Sequence, residues 1–269
     1  MNSTIHQLRV DCWKDTQNKC KNIKIITPSI QIKHIKNVNQ IPCKRYVNST
    51  LFFYNMDTID CALHFENPLV LNLASDYHPG GGVAKGSGAQ EESLFRRSNY
   101  FQTLTKQYYP ILDGYAIYSP NVSIIKQNET NKWLPYNINE NLKLDFIACP
   151  GLRHPKTIKI NNKIVLNDYD KNRLVTKIET IIQCAIKYNH DTIVFGALGC
   201  GVWKNPPDHV ANIFKEVLIK YDGVIKNYVF AILGTTTNNN SFYKINSQID
   251  NNIDIFIKVF GKSSIDIIN

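Results

Sequence analysis

From about residue 50 onward the chain alternates two hydrophobic periodicities. Short β-branched or aromatic runs, almost wholly apolar, occur at Leu51–Tyr54, Leu69–Leu73, Tyr115–Tyr118, Phe146–Cys149, Thr192–Phe195 and Tyr228–Leu233, and each reads as a strand. Strands buried on both faces have this pattern, so a sheet sandwiched between helices is expected. Between them, apolar positions recur at helical spacing. One stripe is Leu94, Phe101, Leu104 and Tyr108, in a helix from Gln90 to about Gln107 stopped by Pro110. Leu174, Ile178, Ile181, Ala185 and Tyr188 form a second, and Val210, Phe214, Val217 and Tyr221 a third. Each stripe is most simply core packing.

Residues 1–45 lack either period and contain Pro28 and Pro42, which predicts an irregular N-terminal extension packed on the core, with one short strand at Ile23–Ile26. Residues 46–269 then form one α/β domain. The Asn-rich segments Thr235–Asn240 and Asn246–Asn252 read as surface loops.

Composition narrows the class. With 43% hydrophobic and 20% charged residues in a chain of 269, a sizeable core can be buried and extensive disorder is not expected. No apolar run approaches the roughly 20 residues that span a bilayer, and the first residues, MNSTIHQLRVD, do not read as a secretory signal. A cytoplasmic or nuclear monomer without a membrane partner is the expectation. Seven cysteines, odd in number, scattered and without a CxxC pair, argue against a disulfide scaffold and a zinc site. No metal or cofactor is expected. The net charge of +9 favours polyanionic partners. Over-use of Lys, Asn and Ile, as an AT-rich genome produces, explains it equally well.

The candidate chemistry lies in two glycine-rich loops. In the first, the strand Leu69–Leu73 runs into Gly80, Gly81 and Gly82, then Gly86 and Gly88, before Gln90, Glu91 and Glu92 open a helix. Successive glycines let backbone approach a ligand closely, and the spacing fits neither a Walker loop nor a GxGxxG fingerprint. The second loop, FGALGCGVWKNPP, follows the strand Thr192–Phe195 with Gly196, Gly199 and Gly201. It feeds a helix for which Asn205 is the candidate N-cap and Pro206 the first residue. Exposed amides ahead of a helix N-terminus make an anion cradle suited to a phosphate or diphosphate. Two such loops at the ends of neighbouring parallel strands form the crevice where open α/β sheets bind nucleotides.

The strand LNLAS, the run GGG followed by seven residues and QEE, the RRSNY behind it, YSPNV at Tyr118–Val122 and the later GALGCGVWKNPP together resemble poly(ADP-ribose) glycohydrolase of the bacterial and fungal type, over about residues 55–235. The resemblance implies a three-layer α/β/α macrodomain, no metal, and ADP-ribose held with its diphosphate between the two loops. It places Glu92 at the position of the catalytic acid/base. It also sets Phe230 against the ligand, although an apolar strand residue is by default core.

Adjacent glutamates in a helix point about 100° apart, so Glu91 and Glu92 do not straddle one glycosidic bond as paired glycosidase carboxylates do. A single carboxyl can protonate the leaving oxygen and then activate the water. The helix N-terminus favours its carboxylate form, whereas substrate diphosphate and desolvation favour the acid, so the acid form is expected to depend on bound substrate. Glu91 and Asn72 would contact ribose hydroxyls, Asn72 alternatively tying strand to loop, with Gln90 orienting the pair. Gly199, Cys200, Gly201, Val202 and Trp203 would line the diphosphate, Trp203 shielding it or packing beneath. Cys200 in the cradle is a candidate for a lowered pKa, His78 reads as loop decoration, and Arg96–Arg97 either contact polymer phosphates or balance the glutamates.

Three functions compete. The leading one is hydrolysis of the ribose–ribose O-glycosidic bond of poly(ADP-ribose), releasing ADP-ribose; the others are removal of mono-ADP-ribose from protein side chains and non-enzymatic ADP-ribose binding. The QEE glutamates speak against the last, since a reader needs no acid beside the anomeric carbon.

Overall fold

A computed structural model describes residues 4–23, 27–36, 42–137, 141–234 and 251–261. The elements in order are α1 (Ile5–Lys19), β1 (Ile30–Lys33), β2 (Thr50–Tyr54), α2 (Thr58–Ala62), β3 (Pro68–Asn72), α3 (Gln90–Arg97), α4 (Tyr100–Thr103), β4 (Tyr115–Ser123), β5 (Lys143–Ala148), β6 (Thr157–Ile160), β7 (Lys163–Leu166), α5 (Asp168–Lys187), β8 (Thr192–Phe195), α6 (Pro207–Lys220), β9 (Asn227–Ala231) and α7 (Asn252–Phe260). Seven strands form one sheet in the order β1-β4-β5-β3-β8-β9-β2. Strands β5, β3, β8, β9 and β2 run parallel, and β4 pairs antiparallel with both β5 and β1. This is the expected mixed sheet with helices on both faces, a macrodomain-like architecture.

Alternation along the central strands builds two cores. Leu69 and Leu71 of β3 with Ile193 and Phe195 of β8 pack against α5, α6 and α7, whereas Val70 and Val194 pack against α1 to α4. Both faces are covered, which explains why β3 and β8 are buried at every position. The parallel strands end on one edge of the sheet, and the loops after β3, β5 and β8 all emerge there.

Several expectations are corrected. The N-terminal region is not irregular: Thr4 caps the 15-residue helix α1 by accepting from Gln7 N, and β1 joins the main sheet. Of the strand expected at Ile23–Ile26, residues 24–26 lie outside the described residues. The helix after Glu92 stops at Arg97, because Ser98 bridges to Ile124 and returns its hydroxyl to Leu94 O at 2.6 Å, while Asn99 exchanges hydrogen bonds with Ser123. Polar side chains there offer the backbone an alternative to helix. The β6–β7 hairpin and α7 carried no recognised signal, and α7 starts at Asn252, inside an expected loop. Residues 235–250, including Thr235–Asn240, lie outside the described residues.

Phe230 is also corrected. Its ring is fully buried on the α5–α7 face, 5.2 Å from Phe53, 5.5 Å from Phe195 and 5.3 Å from Phe214 and Phe256. It is a core residue, because odd-numbered Val229 and Ala231 take the other face of β9.

Candidate active site

The first glycine loop folds back over the start of α3. Gln90 anchors that helix to the end of β3, its Oε1 accepting from Leu73 N at 2.9 Å and its Nε2 donating to Leu71 O at 2.7 Å. The next two residues divide the loop between them. Glu91 Oε2 accepts from Ser75 N at 2.7 Å, and its Oε1 accepts from Gly80 N at 3.1 Å and Asn72 Nδ2 at 3.5 Å. Glu92 Oε1 accepts from Gly82 N at 2.8 Å, whereas Glu92 Oε2 is buried and has no partner among the described residues. Both glutamates are more than nine-tenths buried. The loop amides that the sequence suggested for a ligand therefore hold the carboxylates, and one carboxylate oxygen is left over.

Burial is the dominant influence on Glu91 and pushes its carboxyl up to about 8, against the opposing hydrogen bonds from Ser75, Gly80 and Asn72. A folded-state pKa above the unfolded value means that the native state holds the proton more tightly, so stability is lost as pH rises from about 4.5 to about 8. Glu91→Gln is expected to flatten that slope, by a few kcal/mol at about 1.4 per pKa unit. Denaturant unfolding of both proteins at pH 5 and pH 9 checks it, and parallel pH dependences would refute it.

Asn72 sits fully buried at the end of β3, its amide shared between Glu91 and Tyr100 Oη, both at 3.5 Å, and its Oδ1 unpartnered. Two oxygens at the head of this loop, Asn72 Oδ1 and Glu92 Oε2, thus lack a protein partner among the described residues. Helix α1 braces the loop from outside: His6 Nδ1 lies 3.2 Å from Gly86 O, and the Arg9 guanidinium covers Gly88 while pairing with Glu129 at 2.8 Å. Glycines 86 and 88 were the sequence signal for this close approach, but nothing in the sequence said that α1 was what approached.

The second loop is pinned by Asn205, which is not a cap. Pro206 caps α6 and Pro207 begins it, while buried Asn205 Nδ2 donates to Leu152 O at 2.7 Å and Gly199 O at 3.0 Å. Gly199 has φ +77°, and a Cβ there would meet the Asn205 amide at 2.7 Å. The amides of Gly201, Val202 and Trp203 donate to no protein acceptor among the described residues. Cys200 packs partly on the core, and burial raises its thiol pKa, opposite to the lowered value expected. Arg96 and Arg97 are buried and serve the fold. Arg96 donates to Ser87 O at 2.7 Å and Arg97 pairs with Asp57 and Asp60, so neither reaches a polymer. His78 is exposed loop, as expected.

The two loops face one another through Arg153 in the turn after β5. Its guanidinium lies 5.1 Å from the Tyr77 ring of the first loop and 5.8 Å from the Trp203 ring of the second. Gly151 packs directly on Gly199. Among the described residues no group of three His, Cys, Asp or Glu is placed to hold a metal ion, and no helix is long and apolar enough to cross a membrane.

Residues 5–127 match the sequence model of the family described as microbial-type PARG, catalytic domain. That segment is similar to the catalytic domain of microbial-type PARG. The PARG match contains α1, the first glycine loop and Gln90–Glu92, and ends before the second loop. Solved PARG structures extend the likeness across the chain. Poly(ADP-ribose) glycohydrolase of Thermomonospora curvata superposes with a TM-score of 0.71 at 20% identity, covering 94% of this chain and 100% of that one. The enzyme of Deinococcus radiodurans in complex with ADP-ribose gives 0.63 at 19% identity over 97% and 98% of the two chains. At such identities the superpositions establish a shared PARG fold. No curated protein sequence matches the chain.

Proposed function

We propose that this protein hydrolyses the ribose–ribose O-glycosidic bond of poly(ADP-ribose) and releases ADP-ribose, with Glu92 as the single general acid and base. The observation that carries this reading is the division of labour between adjacent carboxyls: Glu91 is tied on both oxygens, and Glu92 is held by one and keeps Oε2 unpartnered in a buried position. Protonated at Oε2, Glu92 gives its proton to the leaving ribose oxygen as the C–O bond breaks. The resulting carboxylate takes a proton from the water that attacks the oxocarbenium-like carbon. Glu91 positions the loop, and Asn72 Oδ1 accepts from a ribose hydroxyl. The free amides at Gly201–Trp203, near the N-terminus of α6, receive the diphosphate. Residues 46–269 carry this apparatus and residues 1–45 brace it, a division supported by α1 lying against the glycine loop. The match of residues 5–127 to the PARG catalytic domain and the fold shared with enzymes that act on this polymer support the substrate.

Incubation with purified poly(ADP-ribose) and, separately, with singly ADP-ribosylated proteins, followed by measurement of free ADP-ribose, tests the reaction. Release from the polymer is expected; release from the singly modified protein alone would move the assignment to mono-ADP-ribose removal. Binding is tested at Gly201, where a Cβ would meet nothing within 4 Å. Gly201→Asp adds charge without a clash, so it is expected to abolish the thermal stabilisation by ADP-ribose while leaving the unliganded Tm unchanged. An undiminished shift would show that this loop does not hold the diphosphate.

A further inference from the structure

Behind the first glycine loop a tyrosine hydroxyl is buried without a partner. Tyr109 follows the 3₁₀ turn Lys106–Tyr108 on the way to β4, and its ring packs on the core that contains Ala74, Phe95 and Tyr100. Two residues on, Ile111 N donates to Asp76 O at 3.0 Å, next to Ser75, whose amide donates to Glu91 Oε2. The turn is thus fastened to the backbone that holds Glu91. Tyr109 Oη is buried and makes no hydrogen bond of regular geometry among the described residues. Burial, and after it the neighbouring Glu91 carboxyl and Tyr100, raise its pKa, so the hydroxyl keeps its proton. A buried polar atom left in this way is rare in native proteins.

The surroundings of Glu91 show what that hydroxyl can serve. Glu91 Oε1 accepts from Gly80 N and Asn72 Nδ2, and its Oε2 accepts from Ser75 N. All three are donors, so none of them can accept a proton that Glu91 itself carries. A phenol oxygen can, and the same phenol donates when Glu91 is ionised. The titratable groups facing Glu91 are Glu92 on α3, Tyr100 on α4 and Tyr109. Glu92 Oε1 is held by Gly82 N, its Oε2 is left for the substrate in the reaction proposed above, and the Tyr100 hydroxyl is engaged by Asn72 and Ser119. Tyr109 is the neighbour that still has both a proton to give and a lone pair to offer.

We propose that Tyr109 is a positioning residue of the active site, its hydroxyl turning onto Glu91, donating to the carboxylate and accepting from the carboxylic acid, so that Glu91 stays in place in both protonation states. Glu91 in turn holds Gly80, two residues before the Gly82 amide that holds Glu92. The effect on turnover rests on the reaction proposed above; the effect on stability does not.

Tyr109→Phe keeps the ring and removes the hydroxyl. A hydrogen bond to a charged group is stronger than one to a neutral group, so the substitution is expected to raise the pH at which Glu91 ionises by about one unit. With Glu91 ionising near pH 8 in the wild type, the stability lost in Tyr109→Phe is expected to be constant at lower pH and to grow from about pH 8 to about pH 9. Denaturant unfolding across that range reads it. In the Glu91→Gln background the loss from Tyr109→Phe is expected to be the same at every pH. No growth in the first background, or equal growth in both, would overturn the proposal, since the hydroxyl would then act on something other than Glu91. In polymer hydrolysis Tyr109→Phe is expected to lower kcat roughly tenfold with KM unchanged, as misplacement of a reacting group does; an unchanged kcat would overturn the positioning role. Absence of hydrolysis by the wild-type protein removes the assigned reaction instead, and the stability comparison alone then decides whether Tyr109 holds Glu91.

Discussion

Glu92→Gln is expected to lower the release of ADP-ribose from poly(ADP-ribose) by about 10² to 10⁴, the range that general acid–base catalysis supplies, while ADP-ribose still binds. The amide keeps the shape of the side chain, and its oxygen can still accept from Gly82 N, where Glu92 Oε1 now accepts at 2.8 Å. What it lacks is a proton to deliver from the position of Oε2. Single-turnover rates together with the dissociation constant of ADP-ribose check both halves of the expectation. Near-normal turnover would remove Glu92 as the acid. If Glu91→Gln were the inactive variant instead, the roles of the two glutamates would have to be exchanged, which its two backbone bonds to Ser75 and Gly80 argue against.

The second large effect is expected at Gly81, which contributes no side chain. Its φ is +51°, a conformation that costs other residues roughly 1–2 kcal/mol. A Cβ there would lie 2.6 Å from Glu92 Oε1 and 3.2 Å from Glu91 Oε2. Gly81→Ala therefore pushes a methyl group into the carboxylates, and displacement of a reacting group by a fraction of an ångström to an ångström costs about 10² in rate. Turnover is expected to fall by that order with a Tm lowered by only a few degrees. A wild-type rate in Gly81→Ala would mean that the loop does not set the position of Glu92.

Of the proposed site, the parts legible in the sequence are those that local chemistry dictates. Three consecutive glycines followed by a helix opening with Gln90-Glu91-Glu92 announce a loop whose backbone lies close to another group, since residues without a Cβ are needed where backbone makes such an approach. The sequence could not say which groups would meet. Gly80 and Gly82 were expected to present amides to a diphosphate and instead present them to Glu91 and Glu92. Asn205 shows the same limit: Asn before Pro-Pro reads as a helix cap, but Leu152 O from the turn after β5 and Gly199 O and Trp203 O of its own loop converge on its amide and make it the pin of the second loop.

The sequence by itself determined the sandwiched sheet, because β3 and β8 are apolar at nearly every position and can be buried only between two helical layers. It determined the two glycine loops and the helices behind them, because those signals are contiguous in the chain. Only the tertiary structure decided which face each residue serves. Phe230 belongs to the core because the two-residue period of β9 turns it toward α6 and α7. The helix after Glu92 breaks at Ser98 because Ile124, 26 residues further on and just past the end of β4, bridges to it. α1 becomes a brace because its polar surface finds Gly86, Gly88 and Arg96 O, contacts that lie some 80 residues away and leave no periodic trace. Arg153, an unremarked residue in a turn, joins Tyr77 to Trp203 because parallel strands bring the ends of β3, β5 and β8 to one edge. Contacts of that kind depend on strand order, and strand order is set by the packing of the whole chain rather than by any one segment.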